Sequence, residues 1–142
     1  GSYSDGWRYL EAAPASTEWT DKEWGTWGTF VGTEMGIGTG QVNTNLIVTA
    51  ISGETDRAAQ LCDALSEGGY SDWFLPSLDE LYLMYKNLKC FGVGGFESGD
   101  YEYYWSSSEN NAEDAWAQRF IGGYEGTGYK YASLWVRAAR AF

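Results

Sequence analysis

Apolar residues recur at helical spacing in three stretches of the chain. Gln41–Ile51 and Asp56–Ser66 place apolar side chains three or four positions apart, which predicts two amphipathic helices. A third helix is predicted to begin after Ser77, because Ser77 and Glu80, three positions later, form the capping-box pattern of a helix N-terminus. The predicted buried stripes are Val42, Leu46 and Ile47, then Ala58, Leu61, Cys62 and Leu65, and last Leu78, Leu81, Tyr82, Tyr85 and Leu88.

Other segments alternate between apolar and polar residues, which is typical of β-strands. Residues 15–39 show neither pattern and predict a long loop, and the glycines at 122–123 and 126–128 predict turns. Helices followed by strands, without β-α-β alternation, indicate an α+β fold. No repeat or linker divides residues 1–142, so we expect one domain, in which Gly1 and Ser2 are typical of an expression-vector remnant. The predicted strands are Trp7–Ala12, Tyr103–Ser107, Ala115–Ile121 and Leu134–Phe142.

The charge of the chain limits the partners it can have. It carries 20 acidic and 9 basic residues, a net charge of −11. A nucleic-acid-binding surface neutralises phosphates with clustered lysine and arginine, whereas the basic residues here are scattered. An anionic membrane surface would repel the chain for the same reason. No stretch approaches the roughly 20 apolar residues of a membrane-spanning helix. We therefore expect neither nucleic-acid binding nor direct membrane insertion.

The candidate catalytic groups lack a base. The chain contains no histidine, which removes the common serine and cysteine triads and the usual histidine metal sites. We expect Ser106, Ser107 and Ser108 to make local hydrogen bonds at the edge of a strand. The glycine-rich segment 36–40 precedes a helix and could cradle a phosphate. It lacks the preceding strand and the glycine spacing of a dinucleotide site, so a turn into the helix explains it better.

Acidic residues gather where loops should join the C-terminal strands. Calcium prefers such oxygen ligands, but the spacing is not that of an EF-hand, so we expect neither a metal nor a cofactor. Asp79 and Glu80 lie in the first turn of a predicted helix, where capping and the helix dipole account for them. Cys62 and Cys90 allow either one disulfide or two free thiols, and the sequence leaves both open. The gathered acids are Asp100, Glu102, Glu109, Glu113 and Asp114.

Aromatic residues are unusually frequent, with 8 Trp and 11 Tyr in 142 residues. Between residues 101 and 135 they are interleaved with serine, glycine, asparagine and threonine, the mixture found in antibody paratopes. We expect Trp105, Trp116 and Trp135 to lie in the core. Tyr124 and Tyr129 lie in glycine-rich stretches and are expected to face solvent. The C-terminal third is therefore the candidate binding surface.

Several short motifs are spread over nearly the whole chain. They are Trp7–Pro14, Gly38–Gly40 with Asn43 and Thr44, Asp72–Ser77, Asp79–Leu81, Tyr104–Glu109, Ala115 and Trp116, Phe120, Lys130 and Val136–Phe142. Together they resemble the bacterial Lcl C-terminal domain family. The resemblance implies a single C-type-lectin-like domain of the formylglycine-generating-enzyme branch. In it, helices pack on a small, mostly antiparallel twisted sheet with long loops. The family includes surface adhesins and targets of diversity-generating retroelements, which implies a cell or virus surface.

The resemblance also implies a function. The domain would be a ligand-binding module that presents an aromatic-rich C-terminal face, diversified in some relatives, to an unidentified protein or glycan. The alternative is a structural surface adhesin or self-assembly domain. The calcium-dependent sugar motifs of true lectins are missing, and the acidity of the chain disfavours a sulfated polyanion. Enzymes of this fold use cysteines near the C-terminus, and none follows Cys90, so no enzyme is expected. The implied ligand-binding residues are Tyr101, Asn110, Asn111, Glu113, Arg119, Ile121, Tyr124, Thr127, Tyr129, Ala132, Ser133 and Leu134.

Overall fold

The chain combines three α-helices with seven short β-strands in the computed structural model, which describes residues 9–142. The helices are α1 (Gly40–Ala50), α2 (Ala58–Ala64) and α3 (Leu78–Asn87), and single 3-10 turns lie at Ala15–Thr17 and Lys89–Phe91. The strands are β1 (Leu10–Ala12), β2 (Trp19–Lys22), β3 (Tyr103–Glu109), β4 (Asp114–Arg119), β5 (Glu125–Tyr129), β6 (Leu134–Val136) and β7 (Ala139–Ala141). This is the α+β class predicted from the sequence.

A five-stranded sheet in the order β2-β6-β3-β4-β5 lies between the helices, and β1 pairs with β7 in a separate sheet. All pairs are antiparallel except β3 with β6. Successive residues of a strand face opposite sides. Trp105 therefore joins the core formed with α1 and α2, on what we call the helix-pair face of the sheet. Tyr104 joins the core beneath α3, on the α3 face.

The C-terminal segment is not the single strand predicted for Leu134–Phe142. The chain forms β6, leaves the central sheet at Arg137 and Ala138, and then forms β7 in the other sheet. The buried guanidinium of Arg137 accounts for the break. It donates to the Glu18 carboxylate and to three loop carbonyls, acceptors that no neighbouring strand would offer.

Strands β2 and β5 fall where the sequence predicts a loop and a turn. β2 lies within residues 15–39, and its pairing with β6 has a register shift, so no regular alternation marks it. Gly126 and Gly128 of β5 are extended, without positive φ. A Cβ atom at Gly128 would lie 3.3 Å from the Trp105 ring, so glycine serves close packing here. The strand predicted at Trp7–Ala12 is observed as β1, and positions 7 and 8 lie outside the described residues.

The three predicted helices are present, although α2 is two residues shorter at each end. Their buried faces differ in part from the apolar stripes. Val42 and Leu46 of α1 are exposed, whereas Asn43 and Thr44 are buried. Both polar side chains hydrogen-bond to backbone groups of neighbouring loops, which makes their burial acceptable. Tyr82 of α3, also predicted to be buried, is exposed. Apolar periodicity cannot identify buried polar residues of this kind.

The tryptophans predicted in the core differ in burial. Trp105 is fully buried, and its indole N–H donates to the Lys22 carbonyl at 2.8 Å. Trp116 and Trp135 are only half-buried, so this prediction is wrong in degree for both. Trp116 lies on β4 opposite Thr127 of the edge strand β5. Because no further strand follows β5, less of the chain covers Trp116 than covers Trp105.

The N-terminus of α3 is capped as the sequence predicts. The Ser77 hydroxyl oxygen accepts the backbone N–H of Glu80 at 3.3 Å, and the Glu80 carboxylate accepts the backbone N–H of Ser77 at 2.8 Å. The Ser77 hydroxyl in turn donates to the Gly36 carbonyl at 2.9 Å. The cap thus also fixes the loop that leads into α1.

We expect Ser77→Ala to lower the free energy of unfolding by about 1 kcal/mol, the usual effect of removing an N-cap. The reason is that the amide of Glu80 loses its acceptor. Chemical denaturation of the wild type and the variant measures the effect. Unchanged midpoints for both Ser77→Ala and Glu80→Ala would contradict a stabilising capping box.

Candidate ligand-binding face

Strand β5 is one edge of the central sheet, and the predicted binding residues surround it. Its register with β4 runs without a shift over all five residues. Glu125, Thr127 and Tyr129 are exposed. Gly126 and Gly128 alternate with them and lie beneath aromatic rings of the helix-pair face. The edge is therefore regular and carries its larger side chains on the α3 face.

One group of residues, of which all but Tyr103 were predicted to bind ligand, lies where β4 ends and β5 begins. We call it the Arg119 cluster: Tyr101, Tyr103, Arg119, Ile121 and Tyr124. The Arg119 guanidinium lies 5.7 Å from the centre of the Tyr124 ring, within cation–π range. It also donates to the carbonyls of Ile121, at 3.1 Å, and Asp100, at 3.3 Å. Tyr103 lies opposite Arg119 on β3, and Tyr101 follows Asp100 in the chain. These contacts hold the guanidinium in a defined position.

A second group lies at the opposite end of the β4–β5 hairpin. We call it the Tyr129 cluster: Asn110, Asn111, Glu113, Thr127, Tyr129 and Tyr131. The rings of Tyr129 and Tyr131 stack with centroids 5.3 Å apart and planes inclined by 14°. Tyr129 lies opposite Asp114 on β4. The side-chain oxygen of Asn111 accepts the backbone N–H groups of Glu113 and Asp114, both at 2.8 Å, and so fixes the turn beside the rings.

The two clusters lie at opposite ends of the β4–β5 hairpin and on different faces of the sheet. Asp114 and Arg119 are five residues apart along β4, which corresponds to roughly 17 Å. Arg119 and Tyr124 belong to the helix-pair face, whereas Tyr129 belongs to the α3 face. A partner that contacts both clusters must therefore cover the edge of the sheet.

The structure places nine of the twelve predicted ligand-binding residues at the surface. Arg119, Ala132 and Leu134 are half-buried, and the last two pack against the core around Trp105. The nine exposed residues are Tyr101, Asn110, Asn111, Glu113, Ile121, Tyr124, Thr127, Tyr129 and Ser133.

Two rings of this surface were not among the predicted binding residues. Tyr131 is exposed and Tyr103 is half-buried. Tyr131 had a usable signal, because it lies two positions after Tyr129 with Lys130 between them. An extended segment with this spacing would direct both rings to one side. The structure instead forms a turn here, with the Ala132 N–H donating to the Tyr129 carbonyl at 2.8 Å, and the two rings stack beside it.

Lys130 lies between the two stacked tyrosines in sequence but is fully buried. Its ammonium group binds the Glu109 carboxylate and the Thr29 carbonyl, and lies 4.6 Å from the centre of the Trp24 ring. Glu109 also accepts two backbone N–H groups from the loop that contains Thr29. This ion pair joins the loop to the β3–β4 hairpin directly behind the Tyr129 cluster.

The two arginines of the C-terminal segment are also used internally. Arg137 is paired with Glu18 at 2.8 Å, and both side chains are almost fully buried. Arg140 is paired with Asp72 at 2.9 Å and lies over the Tyr70 ring. The hydrogen bond from Arg140 holds the pKa of the Asp72 carboxyl below its usual value. These cations stabilise the scaffold and are not available to a ligand.

Arg119 differs from these cations. Among residues 9–142, no carboxylate lies within 4.0 Å of its guanidinium. Across β4 and β5, on the α3 face, burial and the neighbouring charge of Asp79 raise the pKa of Glu125 above its ordinary value. The candidate face therefore has one positive position in the Arg119 cluster and carboxylates on the side of α3.

The glycine-rich segment 36–40 is filled by a side chain of the protein itself. The buried Glu80 carboxylate accepts the backbone N–H of Gly38 at 2.8 Å and lies 3.5 Å from that of Gly40. A Cβ atom at Gly40 would collide with Glu80 and Phe74, which explains the glycine. Burial raises the pKa of the Glu80 carboxyl above its usual value despite these hydrogen bonds. The loop serves the fold, as its interpretation as a turn implied.

The serine run lies inside the sheet, not at a strand edge as predicted. β3 is flanked by β6 and β4, and all three serines are fully buried. The Ser106 hydroxyl donates to the Trp116 carbonyl, that of Ser107 accepts from Asn43, and that of Ser108 donates to the Glu34 carbonyl. Because strand pairing places this segment at the centre of the sheet, its hydroxyls are committed to structural hydrogen bonds.

The cysteines and carboxylates form no shared site in the part of the chain that the structure describes. Cys62 is buried and Cys90 is exposed, and both are free thiols. Burial raises the pKa of the Cys62 thiol well above its ordinary value. No group of three or more cysteine, aspartate or glutamate side chains within residues 9–142 could hold a metal ion. Glu109 is separated from the other acids by its pairing with Lys130.

Helices on both sides of a small, mostly antiparallel sheet, with the first strand paired to the last, define a C-type-lectin-like α+β domain. The chain belongs to the Lcl C-terminal domain family, whose sequence profile matches residues 10–140. Membership is consistent with a ligand-binding or adhesin-like module. No curated protein matches the chain. Within residues 9–142, no helix has both the length and the apolar character needed to cross a membrane.

Proposed function

We propose that this domain is a ligand-binding module without enzymatic activity, and that the Arg119 and Tyr129 clusters contact a protein or glycan. One observation carries the proposal. Exposed tyrosine rings lie at the edge of a sheet, beside a guanidinium that has no carboxylate partner within residues 9–142. Tyrosine and arginine are the side chains in which interfaces commonly concentrate their binding energy. The exposed rings are Tyr101, Tyr124, Tyr129 and Tyr131.

The scaffold behind the rings supports a binding role. Lys130 fixes the segment between Tyr129 and Tyr131 from inside, and Asn111 fixes the adjoining turn. A surface held in one conformation loses little conformational entropy when it binds, which favours affinity. The serine hydroxyls are hydrogen-bonded in the core and the Cys62 thiol is buried, which favours binding over catalysis. The Cys90 thiol is exposed, but the chain has no histidine to activate it.

We expect the triple variant Arg119→Ser/Tyr124→Ser/Tyr129→Ser to lose at least tenfold in affinity for most binders of the wild type. Anchors of this kind commonly contribute about 2 kcal/mol or more each. Binders are selected with the wild-type domain from a random peptide-display library and a glycan array, and their affinities for both proteins are compared. Thermal melts check the fold. Surface substitutions usually change stability by no more than about 0.5 kcal/mol each, and the two hydrogen bonds that the half-buried Arg119 would lose are themselves exposed.

The matched control is Val42→Ser/Leu46→Ser, which removes exposed apolar side chains from α1. This control should keep the affinity of the wild type. If the triple variant kept its binders while the control lost them, the binding face would lie on α1. Chelator should leave binding unchanged, and a large loss would mean that carboxylates hold a metal. Self-association of the wild type that the triple variant abolishes would favour a self-assembly domain.

A further inference from the structure

Strand β5 presents a row of backbone groups that the rest of the described chain does not use. Its register with β4, together with the flanking hydrogen bonds, directs the N–H and C=O groups of Gly126 and Gly128 toward β4. The corresponding groups of Glu125 and Thr127 therefore point away from the sheet, as does the N–H of Tyr129. Within residues 9–142, no group hydrogen-bonds to them.

This edge lacks three of the features that usually prevent strand pairing, namely proline, lysine and a bulge. Glu125–Tyr129 contains no proline and no basic residue, and it pairs with β4 in continuous register. The opposite edge, β2, has a register shift. The five residues of β5 offer roughly 17 Å of straight edge to an incoming strand.

Charge on the two sides of the edge specifies what that strand should carry. On the α3 face, Glu125 lies near Asp79, and Asp114 lies opposite Tyr129. On the helix-pair face the edge is bordered by the Tyr124 ring and by Arg119. Alternate side chains of an added strand would therefore meet carboxylates on one face and aromatic surface on the other.

We propose that β5 binds an extended segment of a partner protein as an additional strand, with basic residues on the α3 face alternating with apolar residues on the other. The proposal rests on the proposed function, because it places a partner at the same face. Backbone pairing would supply affinity, and the alternating side chains would supply specificity. A second copy of this chain fits less well, because each copy carries a net charge of −11 and like charges repel.

The first test uses the synthetic peptide Lys-Val-Lys-Val-Lys-Val-Lys and the intact protein. We expect it to bind at least tenfold more tightly than the same peptide with glutamate for lysine. Two further peptides carry N-methyl groups on every second backbone amide, starting at either the first or the second residue. We expect the unmodified lysine peptide to bind at least tenfold more tightly than the one whose methyl groups point toward β5. Amide hydrogen exchange at Glu125 and Thr127 should slow when the peptide is added. Equal binding of all four peptides would overturn the proposal.

The second test changes the edge. Thr127→Pro removes an outward N–H that β4 does not use, whereas Thr127→Val retains that N–H. We expect Thr127→Pro and Glu125→Lys to weaken peptide binding at least tenfold relative to the wild type, and Thr127→Val, which changes the same side chain but keeps the N–H, to bind the peptide at least fivefold more tightly than Thr127→Pro. If Thr127→Pro fails to fold, Glu125→Lys and the N-methylated peptides decide. Full binding by folded Thr127→Pro, or a wild-type dimer that this substitution dissociates, would overturn the proposed occupant.

The outcomes separate this inference from the proposed function. If the lysine peptide does not bind while library binders still depend on Arg119, Tyr124 and Tyr129, only the added strand is rejected. If the library binders also ignore the triple substitution, the proposed face itself is rejected.

Discussion

Replacing Glu109 by alanine is expected to lower the free energy of unfolding by about 3–5 kcal/mol, the usual effect of breaking a buried ion pair. The Lys130 ammonium would remain buried with the Thr29 carbonyl and the Trp24 ring, but without a counter-charge. Two backbone N–H groups of the loop at residues 31 and 32 would lose their acceptor as well. Chemical denaturation measures the loss.

The matched control is Glu113→Ala, which removes an exposed carboxylate that forms no ion pair in the described chain. It should stay within about 0.5 kcal/mol of the wild type. The double variant Glu109→Ala/Lys130→Met should lose less stability than the two single changes together, because neither charge remains unpaired. A loss below about 1 kcal/mol for Glu109→Ala, or strict additivity in the double variant, would contradict a buried, coupled pair.

The Glu109–Lys130 pair also links stability to the candidate face. Lys130 lies between Tyr129 and Tyr131, whose stacked rings face solvent. Loss of the pair should therefore disturb the Tyr129 cluster before it disturbs the Arg119 cluster, which is held by its own backbone hydrogen bonds. Binders that depend on Tyr129 are expected to be the more sensitive to Glu109→Ala.

The parts of the fold that the sequence predicts are those specified by local chemistry. The start of α3 is correct because Ser77 and Glu80 satisfy each other's amides within one helical turn. The positive φ values at Gly122 and Gly123 agree with the turn expected there. Such features need no information about distant residues.

The parts that the sequence does not predict depend on distant partners. β2 is a strand because it pairs with β6, more than a hundred residues later in the chain. The break between β6 and β7 follows from the contacts of Arg137 with Glu18 and distant loop carbonyls. The sequence does not reveal that the charges of Lys130 and Arg137 are buried. Their ion-pair partners, Glu109 and Glu18, lie in other parts of the chain.

The prediction of the candidate face was likewise correct for some residues and wrong for others. Tyr124 and Tyr129 are exposed, as their glycine-rich surroundings suggested. The reason was partly wrong, because Gly126 and Gly128 belong to a strand and make room for aromatic rings. Leu134 came from positional resemblance alone and is half-buried against the core. A family resemblance identifies equivalent positions, whereas the burial of a residue depends on the side chains that pack around it in this chain.

Trp105→Ala is expected to lower the free energy of unfolding by about 3–5 kcal/mol, the range for emptying a buried aromatic site. The ring is fully buried, packs against Gly128, and donates its indole N–H to the Lys22 carbonyl at 2.8 Å. Alanine would leave a cavity in the core on the helix-pair face of the sheet, and the Lys22 carbonyl would lose its donor. Thermal and chemical denaturation measure the loss.

Trp116→Ala is the matched control, because it removes the same side chain from the neighbouring strand. It should cost clearly less than Trp105→Ala, since Trp116 is half-buried and less apolar surface returns to water. The triple variant of Arg119, Tyr124 and Tyr129 should be nearly as stable as the wild type and should lose binding instead. If that variant unfolds while Trp105→Ala only weakens binding, core and surface have been assigned the wrong way round, and the candidate face is part of the scaffold.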